Sequence, residues 1–108
     1  MANTYAILGQ VAPATTSLSV LYSSTGQSVV STIVVCNLST ALQTFRLTCS
    51  TSTSPGNANY LWRDQPVPVA DTFSASITLT MGAADVIKVS PDSTGTVLAF
   101  SAFGAKVT

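Results

Sequence analysis

Apolar and polar residues alternate along most of this chain with a period of two. The clearest case is residues 72–81, where Phe73, Ala75, Ile77, Leu79 and Met81 share one parity and Thr72, Ser74, Ser76, Thr78 and Thr80 the other. Residues 43–50 repeat the pattern, with Phe45, Leu47 and Cys49 set against Thr44, Arg46, Thr48 and Ser50. Successive side chains of a strand point to opposite faces, so both segments predict antiparallel strands with one face in a core and one in water. Residues 29–36 are instead almost continuously apolar and β-branched, which predicts a central strand covered on both faces.

Weaker segments at residues 5–10, 18–22, 59–63, 85–90 and 96–103 bring the total to about eight strands. Turn residues separate them at Thr25-Gly26-Gln27, Ser54-Pro55-Gly56-Asn57, Met81-Gly82-Ala83-Ala84 and Pro91-Asp92-Ser93-Thr94-Gly95. No window has a helical apolar face. The predicted class is all-β, an antiparallel β-sandwich of about eight strands, jelly-roll or immunoglobulin-like, and the pattern leaves those two open. The predicted core is the inward parity of the best strands: Ile33, Val35, Phe45, Leu47, Phe73, Ile77, Leu79, Ile87, Val89, Leu98 and Phe100.

Residues 11–17, VAPATTS, read as a linker, so the chain divides into an N-terminal strand or arm with its linker (1–17) and a sandwich domain (18–108). The arm either folds back on its own sheet or pairs with a neighbour's exposed edge, and Tyr5 and Ile7 are its candidate contact residues.

Composition sharpens this picture. The chain is 46% hydrophobic and only 7% charged, against about 25% charged in typical domains, and 31 Ser and Thr keep the surface wet instead. The charges, Arg46, Arg63, Lys88 and Lys106 against Asp64, Asp71, Asp85 and Asp92, sum to zero and form no run. Nucleic acid is therefore not an expected partner. With so little self-repulsion the domain is expected to associate. No apolar run reaches the ~18 residues of a membrane span, and the N-terminus lacks a signal-peptide pattern, so synthesis in a cytoplasm and no membrane contact are expected. Asn37-Leu38-Ser39 matches a glycosylation acceptor, without weight in that context.

Candidate chemistry is thin. His and Glu are absent, which removes the commonest general base and metal ligand. Lys88 sits on the outer parity of an alternating strand and is not placed to activate a serine. No aspartate spacing resembles a Ca²⁺ loop; a hairpin between the strands flanked by Asp71 and Asp85 would set those carboxylates at opposite ends, as solvated turn residues. No enzyme activity, metal or cofactor is expected. If residues 37–41 form a hairpin loop, Cys36 lies at the turn and Cys49 about six residues along the partner strand, ~20 Å away, whereas a disulfide needs ~7 Å. Two buried, reduced thiols acting as small apolar residues are expected. Tyr60 and Trp62 fall on one parity, opposite Leu61 and Arg63; they are candidate interface residues together with Arg63, or a sugar-stacking pair helped by Arg63 and Asp64.

Several segments in this order resemble a known family: residues 30–37 (VSTIVVCN), Phe45-Arg46, Asn59-Tyr60-Leu61, Asp71-Thr72-Phe73, Thr78-Leu79-Thr80, Asp85-Val86-Ile87-Lys88-Val89 and Ser101-Ala102-Phe103-Gly104. Over residues 18–104 the chain resembles small virion structural proteins of tailed phages, frequent in phages of cyanobacteria. Each motif alone is simply apolar strand, and the order supplies most of the information. After Leu21-Tyr22 the chain has Ser23-Ser24-Thr25-Gly26 where a Pro-containing turn is expected, which bears on the local turn only. The resemblance implies a virion β-module without catalytic residues, made in the host bacterial cytoplasm. The expected role is capsid decoration or cement, as a homo-oligomer with a trimer favoured, bound to the major capsid protein or other virion proteins. The alternative is a tail, fibre or receptor-binding module that touches host-surface glycans.

Overall fold

The computed structural model describes residues 3–51 and 56–107. Eight strands run in chain order: β1 (Asn3–Val11), β2 (Ser19–Ser23), β3 (Gln27–Asn37), β4 (Gln43–Ser50), β5 (Tyr60–Val67), β6 (Thr72–Met81), β7 (Val86–Pro91) and β8 (Leu98–Val107). One 3-10 turn, Asn57–Asn59, leads into β5. All pairings are antiparallel, in two four-stranded sheets of order β1-β8-β3-β6 and β2-β7-β4-β5. The chain crosses between sheets at nearly every connection, and only β4 and β5 follow one another within a sheet. This order is that of a jelly roll, which decides between the two sandwiches that the sequence pattern allowed.

The sheets enclose one core. Val30, Ile33 and Val35 from β3 and Leu98, Phe100 and Ala102 from β8 face Phe45 and Leu47 of β4 and Ile87 and Val89 of β7, all buried. Phe73, Ile77 and Leu79 pack against this core but stay half-buried because β6 is a sheet edge. Phe45 binds the sheets through aromatic contacts, with ring centroids 5.4 Å from Phe73, 5.7 Å from Phe100 and 6.5 Å from Trp62. Such pairs add about 0.5–1.5 kcal/mol each beyond their burial.

Five expectations are corrected. β3 and β4 belong to different sheets, so residues 38–42 arch across the sandwich and form no hairpin. The cysteines are free, as Cys36 lies at one end of one sheet and Cys49 at the far end of the other, but both are half-buried where full burial was expected. β6 and β7 are likewise in different sheets, so no hairpin joins the segments next to Asp71 and Asp85. Tyr60 and Trp62 do not share a face: Trp62 pairs with Leu47 and Tyr60 with Thr48, so Leu61 is the extra residue of a bulge, which re-aims one side chain. Trp62 packs half-buried against the core and Tyr60 faces outward. Finally, β3 is central but covered on one face only; Val29, Thr32, Val34 and Cys36 remain half-exposed on its outer side.

β1 lies along its own chain's β8 from Asn3 to Val11, with one bulge between Ile7 and Gly9. Gly9 is what lets it pass over β2, since a Cβ there would meet the Leu21 carbonyl oxygen at 2.0 Å. Of the expected turn residues, Gly95 has a left-handed φ of 88°, while in residues 81–84 that conformation falls on Ala84 (φ 70°) and not on Gly82. Ser54 and Pro55 of another expected turn, and Met1 and Ala2 of the arm, lie outside the described residues.

Candidate functional site

The two outer faces of the sandwich differ in charge. On the β2-β7-β4-β5 sheet, outward positions carry Arg46, Arg63, Asp64 and Lys88. The bulges of β5 bring Asp64, at φ 57°, to Arg46, whose Nε donates to Asp64 Oδ1 at 3.0 Å. That carboxylate raises the pKa of the Arg46 guanidinium, first through the hydrogen bond and then through its charge. The Arg63 guanidinium lies over the Tyr60 ring, 5.4 Å from its centroid. Beside this cluster, Thr16, Arg46, Asp64, Ser90 and Asp92 line a cleft of about 320 Å³.

The outer face of the β1-β8-β3-β6 sheet carries no charge at any outward position. Register and burial place Tyr5 and Ile7 of β1, Ala99, Ser101, Phe103 and Ala105 of β8, and Val29, Thr32, Val34 and Cys36 of β3 on that face. The Ser and Thr parity of β6 completes it. Tyr5 is 80% exposed and Ile7 58%. The five sequence-predicted contact residues thus separate: Tyr5 and Ile7 are together on this face, Tyr60 and Arg63 are together on the opposite sheet, and Trp62 is turned inward against the core.

A third surface lies at the end of the sandwich where β3 passes into β4. Asn37 ends β3 with its side chain buried, and its Nδ2 donates to the carbonyls of Ala41 (2.9 Å), Val67 (2.9 Å) and Pro68 (3.2 Å). Its Oδ1 accepts from the Ser39 amide and hydroxyl. One side chain therefore fixes both the 38–42 arch and the 67–71 loop. Leu38, Leu42 and Val69, each about half exposed, lie next to the groups that Asn37 holds. Sequence reasoning missed this apolar tip; the available signal was three aliphatic residues in segments read as loops. An Asn37 amide with its hydrogens committed inside the fold is also no glycan acceptor in the folded chain.

Among the described residues no group of three or more His, Cys, Asp or Glu comes together. Asp71 Oδ1 accepts from the Thr72 amide, and Asp85 Oδ2 from the Gly82 amide, as turn carboxylates do. A scan against protein-family models and searches of curated proteins and of solved structures each found no match to this chain.

Proposed function

We propose that this chain is a structural module of a bacteriophage virion that decorates or cements the capsid shell through protein–protein contacts, with the major capsid protein or another virion protein as its partner. The apolar tip carries the reading. Exposed Leu38, Leu42 and Val69 sit on loops already ordered by Asn37, so docking them costs little further conformational entropy. Loop 38–42 contains no charged residue and loop 67–71 only Asp71 at its end, so the matching site is a mainly apolar recess on a protein surface. Jelly rolls recur in viral capsids and also in lectins, so the fold adds support by analogy only. The phage-family resemblance of residues 18–104 points the same way.

The glycan-binding tail module is the weaker reading. Its stacking pair is divided, because Trp62 is turned inward against the core and Arg63 already covers the Tyr60 ring. Quantitative mass spectrometry of virions tests the proposal: a cement protein is present in copy numbers on the order of the coat protein, as symmetric decoration of a shell requires. A few copies per particle would overturn it. Leu38→Lys with Leu42→Lys, at exposed positions, should keep the β-rich circular dichroism spectrum and lose particle binding. Unchanged occupancy of that variant would remove the tip from the account.

A further inference from the structure

From β3 we infer that the uncharged outer face of the β1-β8-β3-β6 sheet is covered by a second copy of this chain. An almost continuously apolar run such as residues 29–36, interrupted only at Ser31 and Thr32, predicts a strand covered on both faces, yet one chain covers only one. Val29, Val34 and Cys36 are left half-exposed at the centre of a sheet. The occupant follows from charge. In a contact between copies related by a two-fold axis, each patch meets itself, so charges near the axis face like charges. The outward parity of this sheet is uncharged; Arg46, Arg63, Asp64 and Lys88 lie on the other sheet, and Lys106 of β8 takes the opposite parity, level with Thr4 and Ser28 at the end of the sheet.

Relief and area agree with that occupant. Large side chains, Tyr5, Ile7 and Phe103, stand on the β1 side of the face, and Ser74, Ser76, Thr78 and Thr80 form a low shelf on β6. The register sets Tyr5 level with Ala105, Val29 and Thr80, and Ile7 level with Phe103, Thr32 and Ser76. A two-fold axis parallel to the strands therefore lowers the ridge of each copy onto the shelf of the other at matching heights. Four strands about 4.8 Å apart and ~10 residues long present roughly 600 Å² per copy, the lower end of stable interfaces. Such a contact closes at two copies, and the trimer suggested by shell symmetry would need a second surface. The inference deepens the assembly reading and rests on it for the premise that the module works in contact with protein.

Sedimentation equilibrium of the full chain, without particles, tests it. The wild type should weigh as a dimer at about 100 µM, and Tyr5→Lys with Ile7→Lys should weaken the dimer at least ~100-fold while the circular dichroism spectrum stays unchanged. Val34→Arg at the centre should do the same, and the exposed-strand variant decides should Val34→Arg not fold. Val20→Lys, on the exposed face of the other sheet, should leave the mass unaltered. A monomeric wild type, a dimer indifferent to Tyr5→Lys with Ile7→Lys, or equal dissociation by Val20→Lys would overturn the inference. Virion copy number is read separately, so either idea can fail alone.

Discussion

Asn37 shows how much one side chain can hold. Its amide nitrogen donates to the carbonyls of Ala41, Val67 and Pro68, and the residue is 6% exposed. Asn37→Asp keeps the size but replaces the donor by a carboxylate facing three carbonyl oxygens. Leaving such groups buried and unpaired costs about 1–3 kcal/mol each, more when charged, so a loss of about 2–4 kcal/mol is expected in urea unfolding. Hydrogen exchange should rise in residues 38–42 and 67–71 before the core strands loosen. A change below ~0.5 kcal/mol would mean that the two loops hold themselves without the clamp. The sequence offered Asn37 only as the end of an apolar run and a glycosylation match. What made it structural was the arrival of residues 67–68 from 30 positions away, which no local pattern encodes.

At the scale of elements, period-two alternation carried most of the fold. The strands at residues 43–50 and 72–81 match their predicted limits, because alternation there is unbroken and both ends meet turn residues. β8 starts two residues later than expected, at Leu98, and runs past Phe103 to Val107. Connectivity was less legible: loops of four or five residues suit a hairpin and an arch between sheets equally, and side chains such as Asn37 decide. The bulge at Leu61 was also hidden, because parity counting assumes every residue takes its turn. Gly104 explains how β8 fits so tightly beside β3. A Cβ at that position would lie 2.0 Å from the Val29 carbonyl oxygen and 3.0 Å from Val30 Cα, both backbone atoms with little freedom to yield. Gly104→Ala should therefore destabilise by about 1–3 kcal/mol, the cost of overpacking, although alanine is otherwise the better strand residue. Gly26→Ala, where nothing lies within 4 Å, is the control and should change the melting temperature little. Equal effects of the two substitutions would show that the close approach at Gly104 is not what requires glycine.

The whole molecule inherits an unusual pH response from its charge inventory. With neither His nor Glu, no side chain has an ordinary pKa between roughly 5 and 8, because Asp titrates near 4 and Cys near 8.5. Folding stability should be flat across that window, since it changes with pH only where folded and unfolded chains bind different numbers of protons. The first change on the alkaline side belongs to Cys49. Burial against the core, and then the charge of Asp85, push its thiol above the ordinary range. A folded pKa above the unfolded one means that the unfolded chain gives up the proton first. The resulting stability is complete below the unfolded thiol value and is lost as pH rises through the raised folded value, from roughly pH 8.5 upward. The loss is modest because Cys49 is only partly buried. Thermal melts at pH 5, 6, 7 and 8 should coincide within error, melts at pH 9 and 9.5 should fall below them, and Cys49→Ala should remove part of that fall. A stability transition with its midpoint between pH 5 and 8 would contradict the argument, as would an alkaline fall that Cys49→Ala leaves untouched. The same neutrality bears on assembly: a face held by apolar burial and hydroxyl hydrogen bonds has few charges to screen, so the melts and the dimer mass should agree at 0.1 M and 1 M salt although the Debye length shrinks from ~10 Å to ~3 Å.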